Sequence, residues 1–193
     1  MLDNLSKYNV ILASNSPRRK ELLQKLGVNF KVRTLYGIDE SCPAGLSNED
    51  SAKHIALKKA EAYKQHMADD ELLITADTIV CIDNRILGKP QNIEEATAML
   101  RRLSGRTHEV VTGVAVITKE RTVNFAVTSE VVFSQLDDAD IDYYVDNFLP
   151  FDKAGAYGIQ EWIGLVAVEE LRGSFFNVMG LPVQRLYGIL KQF

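Results

Sequence analysis

The sequence has few of the residues from which metal centres and disulfide frameworks are built. Its 193 residues include two cysteines, Cys42 and Cys81, and three histidines. The cysteines form no C-x-x-C pair and the histidines are scattered, so no zinc-binding spacing is present. The chain also lacks a signal peptide and any apolar run approaching the ~18 residues of a membrane span. These absences argue against a zinc-stabilised, disulfide-stabilised or membrane protein, and they predict a cytoplasmic location.

An excess of positive charge is absent as well. Lysine and arginine number 22 against 26 aspartates and glutamates, which gives a formal net charge of −4. This balance argues against general binding of nucleic acid or of an anionic membrane. With 46% hydrophobic residues, no internal repeat and no low-complexity linker, the chain predicts a single domain over residues 1–193.

Against this acidic background, residues 13–20 (ASNSPRRK) form a local cluster of positive charge. They follow an apolar run that predicts a buried strand, and Ser16 and Pro17 are typical of a helix N-cap and first helical position. A helix start already carries partial positive charge. Arg18, Arg19 and Lys20 in its first turn therefore predict a bound anion, most simply a phosphate chain. The alternative is a solvated basic turn that tolerates the repulsion.

The next helix, predicted from Ser47 to about Met67, places a lysine among apolar residues. Its apolar stripe begins at Ala52 and recurs at helical spacing. At 100° per residue, Lys59 falls in the middle of that stripe. Its ammonium group is therefore predicted either to reach the edge of the core or to bind an anion.

Two carboxylates stand out by their surroundings. Glu40 lies in a turn-rich acidic loop, residues 37–43, in which no packing role explains the charge. Asp77 lies inside the near-continuous apolar run Leu72–Ile82, which predicts a central strand buried on both faces. An ionised carboxylate there is costly unless a cation or a metal pairs with it. In the alternative, Asp77 lies just past the strand end and caps a turn.

The second half of the chain predicts further strands and helices and two more candidate positions. The predicted elements are a turn at 83–85, a helix after Asn92, an antiparallel hairpin of 108–118 and 122–133, a helix at 139–147 and a C-terminal helix from Pro182. Lys89 lies in an extended position before proline. Residues 153–160 are rich in small side chains and end at Gln160, whose amide offers both a donor and an acceptor. This loop either approaches a ligand closely or packs on a neighbouring strand.

The candidates for chemistry are thus four cations and two carboxylates: Arg18, Arg19, Lys59, Lys89, Glu40 and Asp77. Such cations suit the oxygens of a polyphosphate, and the carboxylates suit a divalent metal or a water. No G-x-x-x-x-G-K-[ST] or G-x-G-x-x-G motif is present, and no histidine lies near a glycine-flanked serine. P-loop, Rossmann and serine-hydrolase chemistry are therefore not supported.

Eight short motifs follow one another along the chain, and five of them contain these candidates. They are Ser14-x-Ser16-Pro17-Arg18-Arg19, Gly37-Ile38-Asp39-Glu40, Lys58-Lys59-Ala60, Ala76-Asp77-Thr78, Gly88-Lys89-Pro90, Ser104-Gly105-x-x-His108, Lys153-Ala154-Gly155-Ala156-Tyr157-Gly158-Ile159-Gln160 and Asn177-Val178-x-Gly180-Leu181-Pro182. Each is weakly specific alone. Together and in this order, they closely resemble the Maf family of nucleoside triphosphate pyrophosphatases.

The resemblance implies hydrolysis between the α- and β-phosphates of a nucleoside triphosphate, giving the monophosphate and pyrophosphate, with a divalent cation (Mg²⁺ or Mn²⁺). It implies an elongated α/β fold of the Maf and inosine-triphosphatase type. In that fold a mixed central sheet is flanked by helices, and a cleft lies between two lobes that share the sheet. It also implies a homodimer.

The resemblance also assigns roles to residues. It places the catalytic aspartate on Asp77 and phosphate-binding residues on Ser14, Arg19, Lys59 and Lys89. Glu40 and Asp77 are the candidate metal ligands, and Asp77 is either the general base or chiefly a metal ligand.

Substrate choice is implied by three further positions, Arg18, Thr78 and Gln160, which match the branch of the family that acts on dTTP and UTP. This reading includes the removal of modified pyrimidine nucleotides. The sister branch, which acts on 7-methyl-GTP, carries glutamate at the position of Gln160. Two alternatives stay open: a pyrophosphatase of that sister branch, and a non-catalytic, nucleotide-sensing regulator of septum formation, which would bind nucleotide without turnover.

Two positions depart from the family pattern. Asn15 stands where glycine or alanine is usual, and Gly88 stands where glutamate is common. Asn15 alters the turn that the resemblance expects to fit phosphate. Gly88 lacks the secondary charge that a glutamate would place beside Lys89.

Overall fold

The computed structural model describes residues 2–193 and shows strands and helices intermixed along the chain. The strands are β1 (Asn9–Leu12), β2 (Lys31–Val32), β3 (Glu71–Ile82), β4 (Arg85–Leu87), β5 (Thr107–Ile117), β6 (Thr122–Phe133) and β7 (Val168–Arg172). The α-helices are α1 (Pro17–Lys25), α2 (Asn48–Lys64), α3 (Ile93–Leu103), α4 (Asp138–Phe148), α5 (Trp162–Val166), α6 (Phe175–Val178) and α7 (Val183–Leu190). Short 3₁₀ helices span Asp3–Lys7 and Ala154–Ala156.

The strands form one mixed sheet in the order β2-β1-β3-β5-β6-β7, with β4 paired to β3. Strand β1 runs parallel to both β2 and β3, and Leu12 lies opposite Ile74. Strand β4 is antiparallel to β3, and β7 is antiparallel to β6. The predicted α/β class with a mixed central sheet is therefore confirmed.

The chain divides into two compact units. One comprises Met1–Asp77, Thr112–Val127 and Gly180–Phe193, and the other comprises Thr78–Val111 and Thr128–Met179. Strand β3 passes from the first unit into the second between Asp77 and Thr78.

In the first unit, helix α2 packs closely on the strands. The core cluster joins residues of β1, β3 and β5 to residues of α2 and the turn after it: Ile11, Leu73, Ala115, Ile117, Ala60, Tyr63 and Met67. The hydroxyl of Thr75 donates a hydrogen bond of 2.7 Å to the carbonyl oxygen of Ala56. At Gly113, a Cβ atom would lie 2.1 Å from the carbonyl oxygen of Ala52. Only glycine permits this approach of β5 to α2.

The helix starts confirm the sequence signals. The hydroxyl of Ser16 accepts a hydrogen bond from the backbone N–H of Arg19, that of Ser47 accepts one from Asp50, and the amide oxygen of Asn92 accepts one from Glu95. Helix α2 ends at Lys64, three residues earlier than predicted, because the chain turns at residues 65–66 and returns Met67 to the core.

The second unit contains a buried aromatic cluster. His108 is 2% exposed, and its ring meets Phe133 and Tyr157 edge-on, at centroid distances of 4.9 and 5.4 Å. Its Nε2 lies 2.7 Å from the hydroxyl oxygen of Tyr157. Burial lowers the pKa of His108 to about 4.

The predicted connections are also present. Asp83 and Asn84 have φ values of 54° and 56°, as a tight type I′ turn between β3 and β4 requires. The predicted strands 108–118 and 122–133 correspond to β5 and β6, which are neighbours in the sheet. Over residues 2–193, no helix combines the length and apolar character that crossing a bilayer requires.

Candidate active site

The centre of the candidate site is a lysine held by two carboxylates. Lys59 Nζ donates a hydrogen bond of 2.7 Å to Asp77 Oδ1 and lies 3.1 Å from Glu40 Oε2. The side chains of Lys59 and Asp77 are 15% and 14% exposed, whereas that of Glu40 is 57% exposed. The side chains of Lys59 and Asp77 are therefore largely removed from water, and that of Glu40 lies on the solvent side of the cluster.

Secondary-structure periodicity explains the Lys59–Asp77 contact. Thr75 and Asp77 are two residues apart in β3, so their side chains project from the same face of the strand. Ala56 and Lys59 are three residues apart in α2 and share one face of that helix. The hydrogen bond from Thr75 to Ala56 fixes the spacing of the two elements, and it places Lys59 one helical turn further along, opposite Asp77.

The predictions for these two residues are confirmed in their structural part. Lys59 pairs with anions, and Asp77 pairs with a cation. Asp77 lies inside β3, with Thr78 to Ile82 continuing the strand, so the alternative that placed it beyond the strand end is wrong.

Glu40 reaches the cluster on a loop that a second ion pair holds to the same helix. Lys58 Nζ donates a hydrogen bond of 2.6 Å to Asp39 Oδ2, and the backbone N–H of Ser41 donates one of 2.9 Å to Asp39 Oδ1. Hydrogen bonds from Lys58 and Ser41 hold the pKa of Asp39 well below its usual range. Adjacent loop acids therefore bind adjacent helix lysines, Asp39 to Lys58 and Glu40 to Lys59. Asp39 thus has a structural partner that the sequence analysis missed.

Arg19 and Ser14 lie in the same unit and are joined to each other. Arg19 Nε donates a hydrogen bond of 2.8 Å to the carbonyl oxygen of Gly180, and Arg19 Nη1 lies 3.5 Å from Ser14 Oγ. Ser14 is buried, and its hydroxyl also accepts a hydrogen bond of 3.2 Å from the backbone N–H of Ser16. The carbonyl of Gly180 fixes one edge of the guanidinium group, a contact that no local sequence signal indicates.

The charges of this cluster act on one another. Burial lowers the pKa of Arg19, the negative charge of Asp77 opposes that shift, and the positive charge of Arg18 adds to it. Glu40 also raises the pKa of Arg19. Arg18 is half-buried beside it in the first turn of α1. The first unit thus brings together Ser14, Arg18, Arg19, Glu40, Lys59 and Asp77.

Glu40 and Asp77 form a small donor set for a divalent cation. Glu40 and Asp77 present two carboxylates to one point, the ammonium group of Lys59. Among residues 2–193, no group of three or more histidine, cysteine or acidic side chains is placed to hold a metal. Mg²⁺ is usually bound by one or two carboxylates together with substrate phosphates. The pair therefore fits a Mg²⁺ or Mn²⁺ ion that substrate oxygens also bind.

The other predicted site residues lie in the second unit. Thr78 follows Asp77 in β3 and is half-buried, whereas Lys89 and Gln160 are exposed. Within the loop 153–160, Gly155 has a φ of 69°, and a Cβ atom there would lie 3.0 Å from the side chain of Val80. Small residues at this end of the loop therefore allow it to pack on β3. This is the second of the two roles predicted for the loop, packing on a neighbouring strand.

A buried ionic network supports the other end of that loop. Lys153 Nζ lies 3.1 Å from Glu161 Oε1, and the hydroxyl of Tyr144 donates a hydrogen bond to Glu161. The same hydroxyl accepts a hydrogen bond of 3.1 Å from the backbone N–H of Gly158. A Cβ atom at Gly158 would lie 3.0 Å from Gln160 Nε2, so glycine makes room for this amide. Tyr144 and Glu161 are supports of Gln160 that the sequence analysis did not identify, since neither lies in a recognised motif.

Fold and site together define an α/β protein with a cluster of cations and carboxylates suited to a metal-bound polyphosphate. The Maf-like protein family matches residues 9–193, and the chain belongs to that family. The chain is 56% identical over 193 residues to a dTTP/UTP pyrophosphatase of Parabacteroides distasonis, covering 100% of both chains. It is 55% identical over 192 residues to a dTTP/UTP pyrophosphatase of Bacteroides thetaiotaomicron, again covering 100% of both.

A solved structure agrees at the level of the fold. The HAM1 protein from Coxiella burnetii superposes with a TM-score of 0.50 and 13% identity, over 96% of this chain and 100% of that one. At that identity, the similarity shows a shared α/β architecture alone.

Proposed function

We propose that this protein is a nucleoside triphosphate pyrophosphatase that hydrolyses dTTP and UTP to the monophosphate and pyrophosphate. The observation that carries this proposal is the cluster of Lys59 between Glu40 and Asp77, with Arg19 beside it. It combines cations for phosphate oxygens with carboxylates for a metal or a water. The choice of pyrimidine substrates is supported by the full-length identity to relatives that bear this name.

The reaction follows from the chemistry of these residues. A water oxygen attacks the α-phosphorus, the bond from that phosphorus to the bridging oxygen breaks, and pyrophosphate leaves with the electron pair. Asp77 accepts the proton of the water.

The cations act on the phosphates. Lys59 and Arg19 stabilise charge that develops on the leaving pyrophosphate, and Ser14 orients the guanidinium group of Arg19. We assign Lys89 to the same substrate on the family resemblance. Glu40 and Asp77 would hold a divalent cation, which would supply Lewis-acid stabilisation of the phosphoryl oxygens.

Recognition of the nucleobase is assigned to three residues on the same resemblance. Gln160 reads the pyrimidine edge, and Arg18 and Thr78 contribute to selection. The support of the Gln160 loop by Tyr144 and Glu161 favours a fixed rather than an adaptable amide. We also propose, from the resemblance, that the protein acts as a homodimer in the cytoplasm, which light scattering and cell fractionation test.

One assay tests this function. Purified protein is incubated with a panel of dTTP, UTP, CTP, GTP, ATP and 7-methyl-GTP, with Mg²⁺ or Mn²⁺, and the products are separated. We expect pyrophosphate and monophosphate from dTTP and UTP, with little turnover of the purines. Orthophosphate as the first product, preference for 7-methyl-GTP, or binding without turnover would each contradict the proposal.

A further inference from the structure

We infer that Lys59 is the counter-cation of Glu40 and Asp77 in the nucleotide-free protein. It must exchange these carboxylates for phosphate oxygens before they can bind a divalent metal. Metal and nucleotide are then taken up together, and the carboxylate pair alone is a poor metal site. This inference rests on the proposed function, and it specifies how the same site is loaded.

The geometry places Lys59 where a metal ion would have to bind. Its Nζ atom contacts Asp77 Oδ1 at 2.7 Å and Glu40 Oε2 at 3.1 Å, so one ammonium group bridges both acids. A cation that bound the same two oxygens would need the space that Lys59 occupies. The ammonium group and the metal are therefore competitors for one position.

Charge balance supports the same conclusion. The two carboxylates carry two negative charges, which Lys59 and the neighbouring Arg19 offset, since Arg19 interacts with both acids. A free divalent cation that approaches this cluster meets little net negative charge. Over residues 2–193, no third acidic, histidine or cysteine ligand joins the pair to compensate.

A triphosphate removes this obstacle. Its oxygens are strong acceptors for an ammonium group, and lysine has a flexible four-carbon stem that can follow them. When Lys59 turns to the phosphates, Glu40 and Asp77 lose their counter-cation at the same time as phosphate oxygens become available as further ligands. Nucleotide and metal should therefore bind with positive coupling.

The test measures Mn²⁺ binding without nucleotide, by calorimetry and by the paramagnetic signal of free Mn²⁺. Wild type is compared with Lys59→Met and with Lys53→Met, a matched control. Lys53 lies in the same helix and forms an ion pair with Asp50, away from the cluster. We expect Lys59→Met to bind Mn²⁺ at least about tenfold more tightly than wild type, and Lys53→Met to bind it as wild type does. A Lys59→Met protein that is folded by circular dichroism and binds Mn²⁺ no more tightly than the control would overturn the inference.

A second measurement uses wild type alone, so it does not depend on the variant folding. Mn²⁺ affinity is measured with and without an α,β-imido analogue of dUTP, corrected for Mn²⁺ bound by the analogue itself. We expect the analogue to increase the affinity at least about tenfold. Equal affinity with and without the analogue would contradict the inference even if the pyrophosphatase assay succeeds. Failure of that assay, with the expected Mn²⁺ results, would instead contradict the proposed function.

Discussion

Lys59 Nζ donates a hydrogen bond of 2.7 Å to Asp77 Oδ1, and this bond joins helix α2 to strand β3. The two side chains are only 15% and 14% exposed to solvent. Removing one partner of such a pair leaves the other charge poorly solvated. We expect Lys59→Met to lower the free energy of unfolding by about 1–3 kcal/mol. The double variant Lys59→Met/Asp77→Asn should recover part of that loss, because it leaves no unpaired charge at Asp77. Urea unfolding of wild type, Lys59→Met, Asp77→Asn and the double variant measures this coupling. Additive effects of the two substitutions would show that the ion pair contributes nothing to stability.

Asp77→Asn should abolish turnover while the fold is kept, since the two side chains are nearly isosteric. General-base catalysis contributes about 10²–10⁴-fold, so the loss should be at least of that order. Product formation and circular dichroism are measured together. A folded variant that keeps more than roughly a tenth of wild-type activity would exclude the assignment.

The same variant separates the two roles of Asp77. With the α,β-imido analogue bound, a metal ligand should lose Mn²⁺ affinity on the change to asparagine. A residue that only accepts a proton should keep that affinity.

Gln160→Glu should alter base selection. Uracil and thymine present carbonyl acceptors beside an N–H donor, which an amide matches and a carboxylate does not. An acceptor placed against an acceptor costs about 1–3 kcal/mol, so kcat/KM for dTTP and UTP should fall roughly ten- to a hundredfold. Turnover of 7-methyl-GTP should suffer less. An unchanged ratio of UTP to 7-methyl-GTP turnover would show that Gln160 does not read the base.

Gly113→Ala should destabilise the first unit. The added Cβ would lie 2.1 Å from the carbonyl oxygen of Ala52, and backbone atoms of a packed helix cannot move aside cheaply. Overpacking of this kind costs about 1–3 kcal/mol or more. Gly188→Ala in α7 is the control, because its Cβ would meet no atom within 4 Å. Equal melting temperatures of the two variants would show that β5 and α2 separate readily.

His108 should make stability fall as the pH is lowered. Burial lowers its pKa from 6.5 to about 4, so between these values the unfolded chain binds a proton that the folded protein does not. Stability is therefore lost as the pH falls through this window, by about 2 kcal/mol at pH ~5. His108→Gln should remove this part of the pH dependence while keeping a polar partner for Tyr157. Urea unfolding at about pH 7.5 and about pH 5 gives the free energy of unfolding of wild type and variant at each pH. An equal loss of free energy in the two proteins would show that His108 does not cause it.

The local sequence determined many of the elements and most of the candidate residues, whereas α5, α6 and β7 were not predicted. Ser16, Ser47 and Asn92 specify helix starts by capping, and the apolar run around Asp77 specifies a buried strand. These signals depend on neighbours a few residues apart, so they can be read without knowing the fold. The same local logic showed that Lys59 and Asp77 each needed a partner.

Which partner each residue has was decided only by the tertiary structure. Lys59 meets Asp77 because α2 crosses β3 at the spacing that Thr75 and Gly113 allow, and 18 residues of chain separate the pair. Arg19 donates a hydrogen bond to the carbonyl oxygen of Gly180, which is 161 residues away in sequence. Glu161 accepts a hydrogen bond from Tyr144, 17 residues earlier in the chain. Contacts between distant segments depend on how helices and strands pack, and no periodicity of the sequence records that packing. The need for a counter-charge is therefore a property of the sequence, and the identity of the counter-charge is a property of the fold.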